Sequence, residues 1–349
     1  MPGLHLHTSN RLENLLTGLA KIVQHPAGSL FQPEKIVVQS AGMGRWISLR
    51  LAEVHGICAN INFVFPQKFV AGLMDNALPG RAHARFYARE NLTWRIMHLL
   101  PGLAGRAEFV DLRRYLERPR PELRRFQLSE KIAASFDQYL AFRPDMILEW
   151  DRGKGADWQA ILWREVVGTA PGLHPPALAR EFADSLGRDA APLPARVFLF
   201  GISTLPVFYL EFFQELARAL EVHFFVMRPT AEWFGDIRSE CEEIRARRKV
   251  RASAQLDLQF TRGNPLFASL GKLGRQFLEN VTELNPTREH EDFAAPPNDN
   301  ALGQIQRDIF ELHDPTGAAL RAVAPDDDSL QFHSCHSPMR EMEVLHDQL

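Results

Sequence analysis

The sequence has little cysteine and no long apolar run. Three cysteines occur in 349 residues, too few and too scattered for a disulfide framework. The longest mainly apolar stretches, residues 197–200 and 222–227, are far too short to cross a bilayer. No basic, apolar and small-residue signal peptide stands at the start. We therefore expect a cytoplasmic protein without a membrane partner.

Lysine is also scarce. The chain has 7 lysines against 33 arginines and a formal net charge of −3, which argues against a strongly basic nucleic-acid binder. The planar guanidinium group of arginine binds phosphate and carboxylate groups well. A GC-rich genome, however, also produces an excess of arginine over lysine. Hydrophobic residues make up 45% of the chain and charged residues 24%, which is the balance of a globular protein with a real core.

Strand and helix patterns alternate in two parts of the chain and predict an α/β fold with a parallel sheet. The predicted strands are residues 4–8, 36–38, 196–201 and 222–227. The predicted helices beside them are residues 12–23, 45–55 and 205–220. Between the two parts, strand signals vanish and proline and glycine pairs separate six helical patterns. These helices are predicted at residues 67–76, 90–100, 109–117, 121–142, 158–167 and 176–186.

The remaining segments complete the predicted organisation. Further helices are expected at residues 264–284 and 301–313, then a strand at 330–335 and a helix at 339–349. We predict a split α/β domain of residues 1–65 and 190–313, interrupted by an all-helical domain of residues 66–189. Residues 314–329 form a linker, and residues 330–349 begin a second, truncated α/β domain. The last helix ends while its apolar stripe continues, so we expect a fragment of a longer protein.

A nucleotide site is the first chemistry to test, because phosphate-binding loops lie between a strand and a helix. A P-loop consists of a glycine, four further residues, and then Gly-Lys followed by Ser or Thr. The lysine neutralises the phosphates of ATP, and the Ser or Thr hydroxyl binds the magnesium ion. Residues 39–46 instead read Gln39-Ser40-Ala41-Gly42-Met43-Gly44-Arg45-Trp46. The strand at 197–200 is followed by Gly201-Ile202-Ser203, without a metal-binding acid. The pattern predicts a P-loop-like fold with an empty ATP site.

Other catalytic and metal signals are weak. His333, Cys335 and His336 are close in sequence, but alternate strand residues face opposite ways, and structural zinc prefers four well-spaced ligands. His5 and His7 alternate in the same manner. Ser203 does not lie in GxSxG, and a helix cap by Ser203 or Thr204 is the simpler role. We expect no cofactor and no catalytic residue.

Nucleic-acid contact is the sharper possibility. Residues 106–125 contain seven arginines, and residues 245–251 contain five cations. Each run suits a phosphate backbone, and each is equally typical of a solvated helix face with ion pairs. The loop at residues 39–46 differs, because Gln and Arg can read base edges and Trp can stack on bases.

Short motifs along nearly the whole chain resemble the N-terminus of the RecC family, the gamma subunits of bacterial exodeoxyribonuclease V (RecBCD). In the first half they are Val38-Gln39-Ser40, Gly42-Met43, Trp46, Gly56-Ile57, Ala59-Asn60-Ile61, Phe63, Phe126-Gln127-Leu128-Ser129, Phe136-Asp137-Gln138-Tyr139-Leu140 and Arg143-Pro144-Asp145. In the second half they are Trp233, Gly235-Asp236-Ile237, Gly263-Asn264-Pro265-Leu266, Gly271-Lys272-Leu273-Gly274-Arg275, His336-Ser337-Pro338 and Val344-Leu345-His346-Asp347.

The resemblance implies an inactivated helicase-like, RecA-like α/β domain that does not hydrolyse ATP. It implies a non-catalytic subunit that guides the 3′ single strand of forked DNA and senses the Chi recombination hotspot in double-strand-break repair. RecB-like and RecD-like subunits would then be the partners that hydrolyse ATP and cleave DNA. Two alternatives stay open: a scaffold that only docks the motor subunit, and an active ATP-dependent helicase or nuclease.

The resemblance also implies DNA-binding residues. Four residues match the family's Chi-reading positions: Gln39, Asp137, Gln138 and Arg143. At two other such positions the residue differs, with Arg45 in place of a glutamine and Phe65 in place of a leucine. Further departures are Ala41, Ala71, Ala134 and Ser135, which stand for a threonine, a tryptophan, an aspartate and a leucine. We therefore expect the strand channel to persist and the recognised octamer to differ, or recognition to be weak.

Overall fold

One parallel six-stranded sheet forms the centre of the fold. The computed structural model describes residues 2–29, 31–81, 84–186, 193–235, 237, 263–297, 299–315 and 323–349. The strands are β1 (Gly3–Ser9), β2 (Glu34–Val38), β3 (Ile61–Val64), β4 (Arg196–Phe200), β5 (Glu221–Met227) and β6 (Arg288–Glu291). Their order is β3-β2-β4-β5-β1-β6. The α/β class and the parallel sheet predicted from the sequence are thereby confirmed.

Helices connect successive strands and fill the segment between β3 and β4. The first nine are α1 (Leu12–Val23), α2 (Ala41–His55), α3 (Pro66–Ala77), α4 (Arg89–Leu103), α5 (Val110–Leu116), α6 (Pro121–Phe142), α7 (Pro144–Asp151), α8 (Trp158–Gly168) and α9 (Pro175–Ser185). The later ones are α10 (Val207–Leu216), α11 (Pro265–Leu270), α12 (Lys272–Glu283), α13 (Ala301–Phe310) and α14 (Pro338–Gln348). No helix in these described ranges is both long and apolar enough to span a bilayer.

The two faces of the sheet carry different helices. On one face α1 and α2 pack against Ile36, Phe198 and Phe225. On the other face α3 and α10 meet, with the rings of Phe69 and Phe213 stacked at 5.8 Å between centroids. Crossovers between parallel strands are right-handed. Because β2 connects to β3 in one direction and β4 to β5 in the other, α2 and α10 lie on opposite faces.

The helices between β3 and β4 enclose a core of their own. Buried side chains from α4, α6 and α8 meet there, including Leu92, Phe136 and Trp163. The indole N–H of Trp163 donates to Asp151 Oδ1 at 3.0 Å, and Nε2 of His174 lies 2.7 Å from the other carboxylate oxygen. The six helices predicted in this segment are confirmed, and α7 is an additional one that the sequence pattern did not predict.

Contacts divide the chain into two compact units. The first comprises residues 1–8, 12–227 and 277–291, and the second comprises residues 9–11, 228–276 and 292–349. In the second unit Asn264 caps α11 by accepting from the Phe267 amide at 3.0 Å. Its side-chain amide donates to the His313 carbonyl at 3.1 Å. These local bonds fix the start of α11 against the end of the α13 segment.

Some predicted elements differ from the structure. Residues 330–335 form no strand, and Phe332 is 94% exposed, so this segment packs on no layer formed by the described residues. The predicted helix at 264–284 is two helices that end and restart at Gly271. Strands β3 and β6 were not predicted, because β3 is four residues long and β6 is polar and exposed. The cation run at 245–251 lies outside the described residues.

Candidate nucleic-acid interface at the carboxyl edge of the sheet

The carboxyl ends of β2 and β4 form a topological switch point of the sheet. From these adjacent strands the chain departs in opposite directions, towards β3 and β5. In open α/β sheets, ligands bind in the crevice at such a point. Gln39 directly follows β2, and Ser203 follows β4; the Ser203 hydroxyl donates to Gln39 Oε1 at 3.3 Å. The structure thus places Gln39 at this crevice.

Phe65 lies beside Gln39 on the same edge. The register pairs Val37 of β2 with Val64 of β3, so the next residues, Val38 and Phe65, are neighbours. The Phe65 side chain is 47% exposed because it immediately precedes Pro66, where the chain turns into α3. An aromatic residue and an amide residue therefore follow two adjacent strands at the same edge of the sheet, one register position apart.

The segment after β2 is a helix start rather than a phosphate-binding loop. The sequence predicted a loop up to Gly44 and a helix from Arg45, but α2 begins at Ala41, because the Ser40 hydroxyl accepts from the Met43 amide at 3.1 Å and caps it. Gly44 is buried, and a Cβ there would lie 3.1 Å from Cγ of Phe63. Its missing side chain thus permits close packing of α2 on β3. Only Gln39 and Ser40 connect the strand to the helix.

Arg45 lies in the second turn of α2 and is exposed. Among the residues that the structure describes it has no ion-pair partner, whereas Arg50 further along α2 pairs with Glu53 at 2.8 Å. Because the first turns of α2 follow directly from the carboxyl edge, Arg45 adds a free positive charge near Gln39. Helix N-termini also favour anions through their unpaired amides.

The other predicted site residues belong to α6. Asp137 and Gln138 are exposed on its last two turns. Burial, and next the charge of Asp137, raise the pKa of the Tyr209 hydroxyl, so Asp137 lies near the first turn of α10. Ser203, the partner of Gln39, precedes the same helix. Gln39 thus contacts the connection from β4 to α10, and Asp137 lies near the first turn of α10.

Arg143 ends α6 and precedes α7. Its backbone amide donates to the Tyr139 carbonyl at 2.9 Å, and its side chain is exposed. In the described part of the chain, neither Arg143 nor Gln138 makes a side-chain hydrogen bond or ion pair. A common groove for all six predicted residues stays a prediction.

The expected cap at Ser203 or Thr204 is wrong. Helix α10 starts at Val207, after Pro206, and has no side-chain cap. The Ser203 hydroxyl instead donates a hydrogen bond to the side chain of Gln39. Pro206 takes the N-cap position, and its side chain has no oxygen that could accept from the first amides of the helix.

Histidines form a stack that the sequence pattern did not predict. His5 and His7 of β1 lie beside His223 of β5 and His290 of β6, with neighbouring ring centroids 4.7–5.4 Å apart. Burial lowers the pKa of His7 to about 3 and that of His223 to about 4. No group of three or more His, Cys, Asp or Glu among the described residues is arranged to hold a metal ion. The alternation of His5 and His7 in the sequence indicated that both rings lie on one face of a strand. It could not indicate that His223 and His290 lie beside them, because the strand order was not known.

Three of the seven arginines at residues 106–125 form ion pairs with nearby residues. Arg106, Arg114 and Arg125 form ion pairs with Glu108, Asp111 and Glu122. The Arg124 guanidinium donates to the Pro119 carbonyl at 2.9 Å and lies over the Tyr115 ring. These contacts favour the solvated helix face over a phosphate track.

Comparison with known proteins decides the family. The sequence model described as the RecC N-terminal domain matches residues 4–312. The chain belongs to the RecC family. It is 35% identical over 392 residues to the RecBCD enzyme subunit RecC of Escherichia coli K12, an alignment that covers 99% of this chain and 35% of that protein.

Other RecC relatives align over the same extent. The RecBCD enzyme subunit RecC of Haemophilus influenzae is 32% identical, with 99% of this chain and 36% of that protein covered. That of Mycolicibacterium smegmatis is 26% identical, with 99% and 31% covered. The chain therefore spans about a third of the length of these RecC proteins.

Proposed function

We propose that this chain is a non-catalytic region of a RecBCD-type complex that guides the 3′ single strand of forked DNA and senses a Chi-like hotspot in double-strand-break repair. RecB-like and RecD-like subunits are the proposed partners. The strand would pass along the carboxyl edge of the sheet and the end of α6. The placement of Gln39 and Phe65 on adjacent strand ends at the switch point is the observation that carries this proposal.

The side chains at this edge have the chemistry of base recognition. Glutamine and arginine make paired hydrogen bonds to base edges, and an exposed phenylalanine is a stacking surface for any base. Gln39, Arg45 and Phe65 supply these three groups within one edge and the helix that follows it. Asp137 lies near Tyr209 in the first turn of α10, the helix that follows Ser203, and Arg143 offers a charge for a phosphate.

An inactivated helicase-like domain is the proposed origin of the α/β part. Its support is the crevice at the carboxyl ends of β2 and β4, where nucleotides bind in related topologies, together with groups unsuited to triphosphate. No lysine follows Gly44, the two-residue connection before α2 leaves little backbone to surround a phosphate, and Gly201-Ile202-Ser203 brings no carboxylate.

The test is binding of a fluorescent single-stranded oligonucleotide, measured by anisotropy on Gln39→Ala, Arg143→Ala and the parent chain. Loss of one paired hydrogen bond or phosphate contact predicts about fivefold weaker binding for each variant. Asn76→Ala removes an exposed amide at the far end of α3 and should bind as the parent does. Parent-like binding by both test variants would instead favour the docking scaffold.

A second measurement addresses catalysis. Titration with Mg-ATP should give no saturable uptake by the chain. Micromolar uptake that Gln39→Ala weakens would show a competent nucleotide site at the same edge and overturn the non-catalytic assignment.

A further inference from the structure

Gln39 is held by a hydrogen bond at the carboxyl edge of the sheet. The Ser203 hydroxyl donates to Oε1 of Gln39 at 3.3 Å, and both residues are exposed. The carbonyl end of the Gln39 amide is therefore turned towards the connection that follows β4. Because the oxygen and the nitrogen of a side-chain amide are separate acceptor and donor ends, the N–H2 group of Gln39 points away from Ser203.

The connection between β4 and α10 lies against the start of α2. Gly201 has a φ of 63°, in the left-handed region that suits glycine, and its amide donates to the Phe225 carbonyl at 3.1 Å. A Cβ at Gly201 would lie 3.1 Å from Cε of Met43, in the first turn of α2. This close approach brings Ser203 within reach of Gln39.

Ser203 is the fixed member of the pair. Its neighbours Ile202 and Leu205 are buried and anchor the backbone on both sides. A serine hydroxyl is placed by a single carbon–carbon torsion, whereas a free glutamine samples many rotamers and loses that freedom when it is ordered. Gln138, the other predicted DNA-binding amide, makes no side-chain hydrogen bond in the described part of the chain. Gln39 therefore differs from Gln138 in being held before a ligand arrives.

The orientation of an amide selects the base edge that it can read. Glutamine pairs with adenine through both of its ends, since the carbonyl accepts from N6 and the N–H2 group donates to N7. Guanine presents two acceptors, O6 and N7, at the same edge. An amide whose carbonyl is turned towards a serine offers its donors to the base, and donors suit guanine better than adenine.

We propose that Ser203 is a positioning residue for Gln39: its hydroxyl holds the carbonyl end of the amide, so that the N–H2 group reads the acceptor edge of a guanine in the guided single strand. This inference rests on the proposed function, because it requires Gln39 to contact a base. It adds that the selectivity of Gln39 depends on a residue 164 positions away that itself touches no DNA.

The test uses two labelled strands of about 15 nucleotides, in which thymines alternate with guanine or with adenine at regular spacing, so that the register of binding does not matter. Fluorescence anisotropy should show that the parent chain binds the guanine strand about fivefold more tightly. Ser203→Ala should lower this ratio to about twofold or less, because the amide is then free to rotate. Ser203→Thr keeps the hydroxyl and should keep the ratio. Ser269→Ala should keep it as well, since this exposed serine of α11 donates only to the Leu266 carbonyl of its own helix.

A double substitution shows whether Ser203 acts through Gln39. Gln39→Ala should remove the same part of the preference for guanine. The double variant of Gln39→Ala and Ser203→Ala should then equal Gln39→Ala alone, because a positioning residue has no effect without the residue that it positions. Further weakening in the double variant would show that Ser203 contacts DNA by itself and would contradict the proposal.

The outcomes separate this inference from the proposed function. An unchanged ratio in Ser203→Ala, together with weakened binding by Gln39→Ala, would overturn the role of Ser203 and leave strand guiding in place. Tighter binding of the adenine strand by the parent chain would show that the Gln39 carbonyl reads the base, which also overturns that role. Parent-like binding by Gln39→Ala, or no binding of either strand by the parent chain, would overturn the proposed base contact and this inference together.

Discussion

Nε2 of His7 lies 3.2 Å from Nδ1 of His223, across the neighbouring strands β1 and β5. One nitrogen must donate and the other accept, so the contact requires at least one neutral ring. Burial is the main reason that the pKa of both rings lies below the ordinary value of 6.5, at about 3 for His7 and about 4 for His223. The sheet therefore holds two neutral imidazoles at neutral pH.

This relationship predicts acid-sensitive folding. A histidine whose pKa is lower in the folded state binds protons preferentially when unfolded, so its stabilisation is present above about pH 6.5 and is lost as pH falls. Between pH 7.5 and 5.5 the two rings together should cost about 2–3 kcal/mol of unfolding free energy. Urea denaturation at the two pH values measures this loss.

His7→Phe isolates the contribution, because a phenyl ring can keep the stacking on Phe225. This variant should lose about half of the pH dependence. His98→Asn, at an exposed position on α4, should keep all of it. A His7→Phe variant as acid-sensitive as the parent would contradict the assignment to the histidine pair.

The two glycines at the start of α2 should respond oppositely to a side chain. A Cβ at Gly44 would lie 3.1 Å from the Phe63 ring, whereas at Gly42 the nearest atom is Ser40 Oγ at 3.8 Å. Gly44→Val should therefore destabilise the fold by about 2 kcal/mol through overpacking. Gly42→Val should change it by less than about 0.5 kcal/mol. Equal thermal shifts for the two variants would show that α2 is not packed closely on β3.

The central strands and most helices were predictable because their residues follow simple periods. The apolar run from Val197 to Phe200 is buried on both faces, and the stripe of α1 faces the core. Strand β6 could not be predicted, since its residues are polar and exposed and only pairing with β1 makes it a strand. The α2 start was misplaced because the Ser40 cap outweighs the glycines that follow it.

The candidate site was only partly accessible to sequence reasoning. Residue type and family resemblance pointed to Gln39 and Asp137. The hydroxyl that holds Gln39, Ser203, lies 164 positions away and follows a strand whose place in the sheet depends on topology. Tyr209 carried no motif, since its environment is created by α6 packing on α10.

Arg196 and Glu34 form a buried ion pair between β4 and β2. The guanidinium contacts both carboxylate oxygens, at 2.6 and 3.1 Å, and donates to the His25 carbonyl at 2.8 Å. The side chains are 6% and 18% exposed. Glu34→Gln leaves the buried cation without a counter-charge and should cost about 3 kcal/mol.

Glu53→Gln is the matched control for that prediction, because Glu53 pairs with Arg50 on the surface of α2. Exposed pairs contribute little, so this change should cost less than about 0.5 kcal/mol. Chemical denaturation of both variants at pH 7.5 gives the comparison. Similar costs would show that water reaches the Arg196 pair.

Arg45 and Arg50 provide the most selective test of electrostatic contact with DNA. They lie on one helix, but Arg50 is paired with Glu53 and Arg45 has no partner in the described part of the chain. If Arg45 contacts a phosphate of the guided strand, Arg45→Ala should lower the slope of log K against log salt by about 0.7, the value for one counterion on a single strand. Arg50→Ala should leave the slope unchanged, because its charge is already neutralised. Anisotropy titrations at several salt concentrations measure both slopes. Equal changes would assign the salt dependence to overall charge instead of the carboxyl edge.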